Sequence, residues 1–293
     1  MDHITVIGSG TMGSGIAHSF IQHGFEVTLV DLSKENLVKA QTRIETNLDR
    51  QVKKELLDLE QKTAALSRLN TSTDIAHSVA NSDLVIEAVS ENLSVKEQIM
   101  RAVDKASPSS CIIASNTSSL SITTLAAFTN RPEKVIGMHF MNPVPVMRLV
   151  EIIKGHKTSP QTLKIIVELT EKLNKVPLVA SDYPGFVANR VLLPMINEAI
   201  EALFQGVADV QTIDEIMKLG MGHPMGPLRL ADFIGLDVCL SILNVLYEGF
   251  GKDKYAASPL LKNLVASGNL GVKTKKGFYD YSIDLKIPSP VEF

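Results

Sequence analysis

Two cysteines in 293 residues are too few for a disulfide framework, and neither belongs to a pattern that would bind metal. Cys111 and Cys239 stand singly in apolar surroundings, which fits reduced, buried thiols. Long apolar runs are missing too. A membrane helix needs about 18 or more consecutive apolar residues, and the longest uncharged stretch, Cys111 to Asn130, is interrupted by Ser, Thr and Asn. No membrane span is expected. The first residues, Met1-Asp2-His3, run straight into a strand-like segment without the cationic region and small-residue cleavage site of a secretory leader, so a cytoplasmic location is the expectation. A net charge of −3 offers no pull toward nucleic acid or an anionic membrane, so an anionic ligand must be held by local groups. There is no internal repeat and no low-complexity tract. No Cys, His and Asp cluster points to a metal, and His18 and His23 do not share a helix face at metal-binding spacing.

What is present is an ordinary globular composition, 45% apolar and 21% charged, in a chain about twice the length of a typical domain. From Ile4 to about Ile136, short β-branched runs alternate with helical patterns, as parallel strands joined by crossover helices do. The strand candidates are Ile4 to Ile7, Glu26 to Val30, Leu69 to Ser72, Leu84 to Ala88, Ile112 to Ser115 and Val135 to His139. Between Asp31 and Leu69 lies more chain than one crossover needs, read as two helices in a hairpin that projects from the sheet. After Lys175 to Val179, turn chemistry at Ser181-Asp182-Tyr183-Pro184-Gly185 gives way to helical patterns alone. The expected architecture is a doubly wound α/β domain with an inserted helical hairpin over residues 1–183, then an all-α domain over residues 184–293. The helix beginning near Phe186 carries Val191, Leu192, Met195, Ile196, Ala199, Ile200 and Leu203, a stripe too wide to leave in water. Its partner is either the later helices or a second subunit.

The phosphate-binding signal is Gly8-Ser9-Gly10-Thr11-Met12-Gly13, which follows the first strand directly and opens a helix running to about His23, closed by Gly24. Gly8 permits the tight turn, Gly10 clears the path for a pyrophosphate, and Gly13 lets the helix pack close to the strand. The free N–H groups of the helix start then meet the phosphates. Asp31 ends the second strand 18 residues after Gly13, where a carboxylate accepts hydrogen bonds from both ribose hydroxyls. It would repel a 2′-phosphate, so NAD is favoured over NADP, although Lys34 lies close by.

Further along, His139 ends a strand and Glu151 follows twelve positions later. Helical spacing cannot join them, but an antiparallel return centred near Pro145 sets 139 opposite 151. A His oriented by a carboxylate is a general base. A buried His satisfied by a neighbouring acid is an equally ordinary structural feature.

Six segments decide between these readings: GSGTMGSGIA from Gly8, IEAVSENLSVK from Ile86, SNTSSL from Ser115, GMHFMNPVPVMRLVEII from Gly137, PGFVANR from Pro184 and PMGPLRLADFIGLD from Pro224. Over nearly its whole length the chain resembles the L-3-hydroxyacyl-CoA dehydrogenase family, its short-chain 3-hydroxybutyryl-CoA members in particular. The resemblance implies NAD-dependent, reversible oxidation of (S)-3-hydroxyacyl-CoA to 3-oxoacyl-CoA. It makes His139 the base, Glu151 its orienting partner, and Ser118 and Asn189 the hydrogen-bonding groups around the reacting oxygen. On residue type alone, Ser118 reads as a helix N-cap and Asn189 as a buried helix amide. The resemblance also sets Glu91, Lys96, Asn116, Ser118 and Asn142 near the nicotinamide half, with Lys96 and Ser118 shared with the substrate, and gives Lys273 a cofactor role. Periodicity leaves Glu91 and Lys96 facing solvent. Lys53 and Lys54, on the hairpin, match the place where the family meets the CoA nucleotide, and Lys suits phosphate as a compact charge; otherwise they are a solvated face. An acyl-CoA substrate and a homodimer formed through the carboxy-terminal helices are the implied partners. Two positions depart from the pattern. Lys275 stands where the family usually has Gly, and Arg229 where an acid is common, which bears on the path of the tail, on Lys273 and on the subunit contact. Rival readings are a dehydrogenase of a free hydroxy or sugar acid and a non-enzymatic, crystallin-like relative.

Overall fold

β-Branched residues dominate the strands of the first unit, and short polar caps start its helices. The computed structural model describes residues 1–293, which divide into two compact units, Met1–Tyr183 and Pro184–Phe293. In chain order the first holds β1 (His3–Ile7), α1 (Thr11–Gln22), β2 (Glu26–Val30), α2 (Lys34–Lys53), α3 (Leu59–Ser67), β3 (Leu69–Ser72) and α4 (Ile75–Val79). There follow β4 (Leu84–Glu87), α5 (Leu93–Ala106), β5 (Ile112–Ser115), α6 (Ile122–Ala126), β6 (Val135–Phe140), β7 (Leu149–Lys154), α7 (Pro160–Lys172) and β8 (Val176–Ser181). The sheet order is β3-β2-β1-β4-β5-β6-β7-β8. Neighbours pair parallel except β6 with β7, so β7 and β8 run against the rest. The strand order reverses direction beside β1, and ligands of such sheets bind outside the carboxyl ends of the strands at that switch.

Each crossover helix has a visible start signal. Ser33 accepts from Asn36, Asp58 and Gln61 form a capping box, Asn92 accepts from Ser94 and Val95, and Ser159 accepts from Thr162 ahead of Pro160. The expected hairpin of α2 and α3 is present, and it packs on α1. Leu37, Ala40, Ile44 and Leu48 form one buried stripe on α2 that joins the core around Ile16, Phe20 and Ile21 of α1. An amphipathic helix of twenty residues buries that face rather than leaving it wet.

The second unit holds α8 (Ala188–Phe204), α9 (Val210–Met221), α10 (Pro227–Ile234), α11 (Leu236–Phe250) and α12 (Pro259–Ala266). It is helical apart from a two-residue antiparallel ladder of β9 (Tyr279–Asp280) with β10 (Ser289–Pro290) in the tail. The stripe on α8 divides: Ile196, Ile200 and Leu203 are buried among the later helices, whereas Val191 stays 66% exposed. No single helix is long and apolar enough to cross a membrane; α10 and α11 reach that composition only as a pair bent by 97°. Both cysteines are buried free thiols, and burial pushes them up, Cys111 to about 11 and Cys239 to about 12.

Two buried carboxylates fasten the tail of this unit. Asp214 accepts from the backbone N–H of Leu228 and Arg229 and from the Tyr279 hydroxyl, at 2.8, 3.0 and 2.8 Å. Asp232 accepts from the N–H of Phe278 and Tyr279 and from the Tyr281 hydroxyl, at 3.0, 2.9 and 3.0 Å. Arg229, one of the two departures, donates to the tail carbonyl of Lys286 at 2.8 Å. Lys275, the other, has φ +61°, a left-handed conformation that glycine adopts without the usual penalty of about 1 kcal/mol or more.

Burial raises Asp232 from its ordinary 3.8 to about 6, against the opposing effect of its hydrogen bonds. The folded chain therefore binds a proton that the unfolded chain has lost in that window, and this group's contribution to stability falls as pH rises from 3.8 to about 6. Four of the five tyrosines, Tyr247, Tyr255, Tyr279 and Tyr281, lie in the helical unit, so near-ultraviolet circular dichroism reports on it. Melts followed this way across that window are expected to give stability that falls with rising pH in the wild type relative to Asp232→Asn, since carboxylates shifted downward act the same way in both. An identical slope in both would contradict the assignment.

Candidate functional site

The carboxyl ends of β1, β2, β4, β5 and β6 share one edge of the sheet, and the glycine loop, Asp31, Asn116 and His139 lie at or just beyond those ends. Gly8 has φ +102°, and a Cβ added to it would lie 2.5 Å from the Ala88 carbonyl oxygen at the end of β4. A Cβ on Gly13 would overlap the Gly8 carbonyl, whereas one on Gly10 would meet nothing within 4 Å and project into open space. That space faces the start of α1, where Gly10 is the N-cap without a side-chain hydrogen bond and the first N–H groups, at Thr11 and Met12, lack helical partners. A dinucleotide pyrophosphate needs such a cradle. Beside it is a cavity of about 350 Å³ with apolar walls from Ile75, Val95 and Ile99 and Asp31 at its rim, which suits an adenosine.

Asp31 does more than wait for a ribose. Its Oδ2 accepts from the Ser9 N–H at 2.9 Å and the Ser9 hydroxyl at 2.7 Å, and its Oδ1 accepts from the Ser33 N–H at 3.0 Å. The carboxylate thus ties the end of β2 to the glycine loop. Burial opposes its charge, but the bonds from Ser33, Ser9 and Asn36 outweigh burial and hold it below the usual carboxylate range.

Across β1, the end of β4 carries a group the sequence reading passed over. Glu87 is fully buried; its Oε1 accepts from Lys96 Nζ at 2.7 Å and the Val89 N–H at 2.7 Å, and its Oε2 accepts from the Ser115 hydroxyl at 2.6 Å. Lys96, 1% exposed, also reaches Glu91 Oε2 at 3.1 Å. Lys96 therefore does not face solvent as periodicity suggested. Lys96, Met100 and Val103 are the three buried positions of α5, at spacings of four and three. That stripe was the available signal, masked because its first member is charged.

Glu91 Oε1 then accepts from the Thr117 hydroxyl at 2.5 Å and the N–H groups of Ser118 and Ser119 at 2.9 and 3.0 Å. Partial burial resists its ionisation, but the Lys96 charge and the Thr117 and Ser119 hydroxyls prevail and hold it below the usual range. Ser118 does not cap the next helix: Ser121 caps α6, accepting from Thr124, and Asp182 reaches back to the N–H groups of Ile122 and Thr123. Asn116 Oδ1 accepts from the Phe140 N–H at 2.9 Å, joining the ends of β5 and β6.

On β6 and β7 the register sets His139 opposite Glu151, and His139 Nδ1 lies 2.7 Å from Glu151 Oε2, both side chains about nine-tenths buried or more. The connecting loop, with Asn142 exposed on it, is fastened from two sides. Val144 packs where a Cβ on Gly15 of α1 would come within 2.9 Å of it. Lys175, at the start of β8, donates to the carbonyls of Val144 and Met147 at 2.6 and 2.8 Å. Nothing in the sequence marked Lys175, a lone cation before an edge strand. Lys53 and Lys54 end α2, both exposed and next to Arg50. Asn189 and Lys273 belong to the helical unit: Asn189 is the second residue of α8, and Lys273 Nζ holds both oxygens of Asp237, at 2.5 and 2.6 Å.

Sequence comparison matches residues 3–183 to the NAD binding domain of 3-hydroxyacyl-CoA dehydrogenase and residues 185–281 to its C-terminal domain. A probable 3-hydroxybutyryl-CoA dehydrogenase of Bacillus subtilis is 49% identical over 278 residues, 95% of this chain and 96% of that protein. The 3-hydroxybutyryl-CoA dehydrogenase of Bradyrhizobium diazoefficiens is 50% identical over 286 residues, 98% of this chain and 97% of that one. Among solved structures, (S)-3-hydroxybutyryl-CoA dehydrogenase PaaH1 from Ralstonia eutropha superimposes with a TM-score of 0.93 at 46% identity, covering 96% of this chain and 99% of that chain. The chain belongs to the 3-hydroxyacyl-CoA dehydrogenase family, NAD-dependent oxidoreductases, and its first unit is the NAD-binding domain of that family.

Proposed function

We propose that the chain interconverts (S)-3-hydroxybutyryl-CoA and acetoacetyl-CoA, with His139 as the base. The observation that carries this reading is the His139–Glu151 pair at 2.7 Å, at the same sheet edge as the glycine loop. NAD supplies the acceptor for the hydride leaving C3, and NADH the donor in the reverse direction. As that hydride leaves, the hydroxyl proton must go to a base. Glu151 engages Nδ1, which assigns the transfer to Nε2 and stabilises the imidazolium that forms. Ser118 and Asn189 donate to the reacting oxygen, and the bond of Glu91 to the Ser118 N–H fixes the turn that carries the serine.

On the cofactor side, Gly8, Gly10, Thr11, Met12 and Gly13 form the pyrophosphate cradle and Asp31 selects the unphosphorylated ribose. Glu91, Asn116, Ser118 and Asn142 surround the nicotinamide half; Lys96, 1% exposed, acts there through Glu91 rather than by meeting the substrate as the resemblance implied. Lys273 is the remaining cofactor-side residue, in this reading through its pair with Asp237. Lys53 and Lys54 hold the CoA phosphates as exposed point charges. The first unit is thus the cofactor domain and the second the substrate and dimerisation domain, acting in the cytoplasm on short-chain acyl-CoA. Exposed apolar side chains on α9, Ile216 at 55%, Leu219 at 82% and Met221 at 65%, favour a homodimer through that helix.

Loss of NADH absorbance on adding acetoacetyl-CoA, with free acetoacetate and NADPH in parallel, tests substrate and cofactor together. Turnover is expected only with acetoacetyl-CoA and NADH, and His139→Ala should lower kcat by about 10³ while binding NADH as before. Turnover of the free acid, or an undiminished His139→Ala, would refute the reading. For the dimer, sedimentation should give twice the chain mass for the wild type and a single chain mass for Ile216→Asp/Leu219→Asp. A wild-type monomer would refute that contact.

A further inference from the structure

A dinucleotide in this fold lies across the switch point, one nucleotide at the end of β2 and the other at the ends of β4 and β5. Asp31 marks the first half. The second half therefore lies over Glu87, Glu91 and Lys96, on the way to His139 at the end of β6. The three side chains form one connected unit, with Lys96 Nζ at 2.7 Å from Glu87 and 3.1 Å from Glu91. Every other group bonded to these carboxylates, Val89, Ser115, Thr117, Ser118 and Ser119, is a neutral donor. One ammonium faces two carboxylates, so the unit is left with one uncompensated negative charge.

The two forms of the cofactor differ in charge where they meet this unit: the oxidised nicotinamide ring is cationic, the reduced ring neutral. We propose that the Glu87–Lys96–Glu91 triad is a redox-bias element, whose residual negative charge raises affinity for NAD relative to NADH, with Glu87 as the positioning residue that keeps Lys96 buried and turned toward Glu91. This rests on the dehydrogenase reading above. The glycine loop and Asp31 meet parts of the cofactor that are the same in both forms, whereas a net charge beside the ring distinguishes a cationic ring from a neutral one. Burying an ion pair costs desolvation that an apolar pair would not, so its presence calls for a use beyond stability.

The test compares dissociation constants, measured by NADH fluorescence titration and its displacement by NAD, for the wild type, Glu87→Gln and Glu87→Gln/Lys96→Met. Glu87→Gln keeps the shape and removes one negative charge, leaving the unit neutral. It should lower the preference for NAD over NADH by about fivefold or more, the scale of one charge acting over several ångströms in a partly solvated site. The double variant removes one charge of each sign and restores the residual charge on Glu91, so its preference should return to within about twofold of wild type. A merely structural role predicts no such recovery, because the second substitution removes a further contact. An unmoved preference in Glu87→Gln, or a double variant no closer to wild type than the single, would overturn the proposal. Far-ultraviolet circular dichroism checks folding. Should Glu87→Gln not fold, Glu91→Gln with Glu91→Gln/Lys96→Met repeats the comparison from the other carboxylate. Wild-type protein that binds neither form would overturn the dehydrogenase reading and this proposal together; binding with an unmoved preference would overturn this proposal alone.

Discussion

The single antiparallel pairing in the sheet, where the chain turns back from β6 into β7, is the constraint on which the site depends. Because β7 returns antiparallel to β6, His139 and Glu151 face each other directly, and side-chain alternation in strands puts them on the same face. A shift of register by one residue would send Glu151 to the opposite face. The fold resists that shift from several directions. Val150, Ile152 and Ile153 are fully buried beside it, Lys175 grips the loop carbonyls, and Val144 is pressed against Gly15 of the dinucleotide helix. The last contact also joins the cofactor helix to the loop carrying Asn142, so the phosphate cradle and the dyad rest on a shared support.

The same edge of the sheet is electrostatically uneven. Near the adenosine half a single carboxylate, Asp31, is satisfied by hydrogen bonds from Ser9 and Ser33. Near the other half Glu87 and Lys96 are buried and paired, where they interact more strongly than at the surface, and Lys96 also reaches the more exposed Glu91. Carboxylates serve again in the helical unit, but there Asp214 and Asp232 hold the tail by collecting backbone and tyrosine donors. Carboxylates thus tie β2 to the glycine loop, pair with His139 and fasten a chain end, according to what surrounds them.

Much of this was legible beforehand. Alternation of apolar runs with helical patterns located six of the parallel strands, the glycines and Asp31 were placed at the ends of β1 and β2 where the structure has them, and the distance from His139 to Glu151 about Pro145 anticipated their pairing. The hairpin was legible as two helices, whereas the helix it packs on was not, because the stripe of Leu37, Ala40, Ile44 and Leu48 is thin among many charges. What escaped were buried polar groups. Glu87 ends an apolar strand, Lys96 opens an apolar helix stripe, and Lys175 precedes an edge strand; in each case residue type implies water and only the tertiary partner reverses the inference. Asp214 and Asp232 were hidden likewise, since the tail groups that bond to them, Phe278, Tyr279 and Tyr281, lie more than forty residues away along the chain. Patterns of period two and 3.6 report which face is buried, not which charge will find a partner there.

The central claim is that His139 and Glu151 act as one unit in proton transfer. A double-mutant cycle measures this directly: kcat with acetoacetyl-CoA for wild type, Glu151→Gln, His139→Ala and the double variant, with NADH affinity determined for each. The account predicts that Glu151→Gln loses about 10² or more in kcat at unchanged NADH affinity, and that the double variant is no slower than His139→Ala alone. Losses that multiply in the double variant, or full activity in Glu151→Gln, would contradict it.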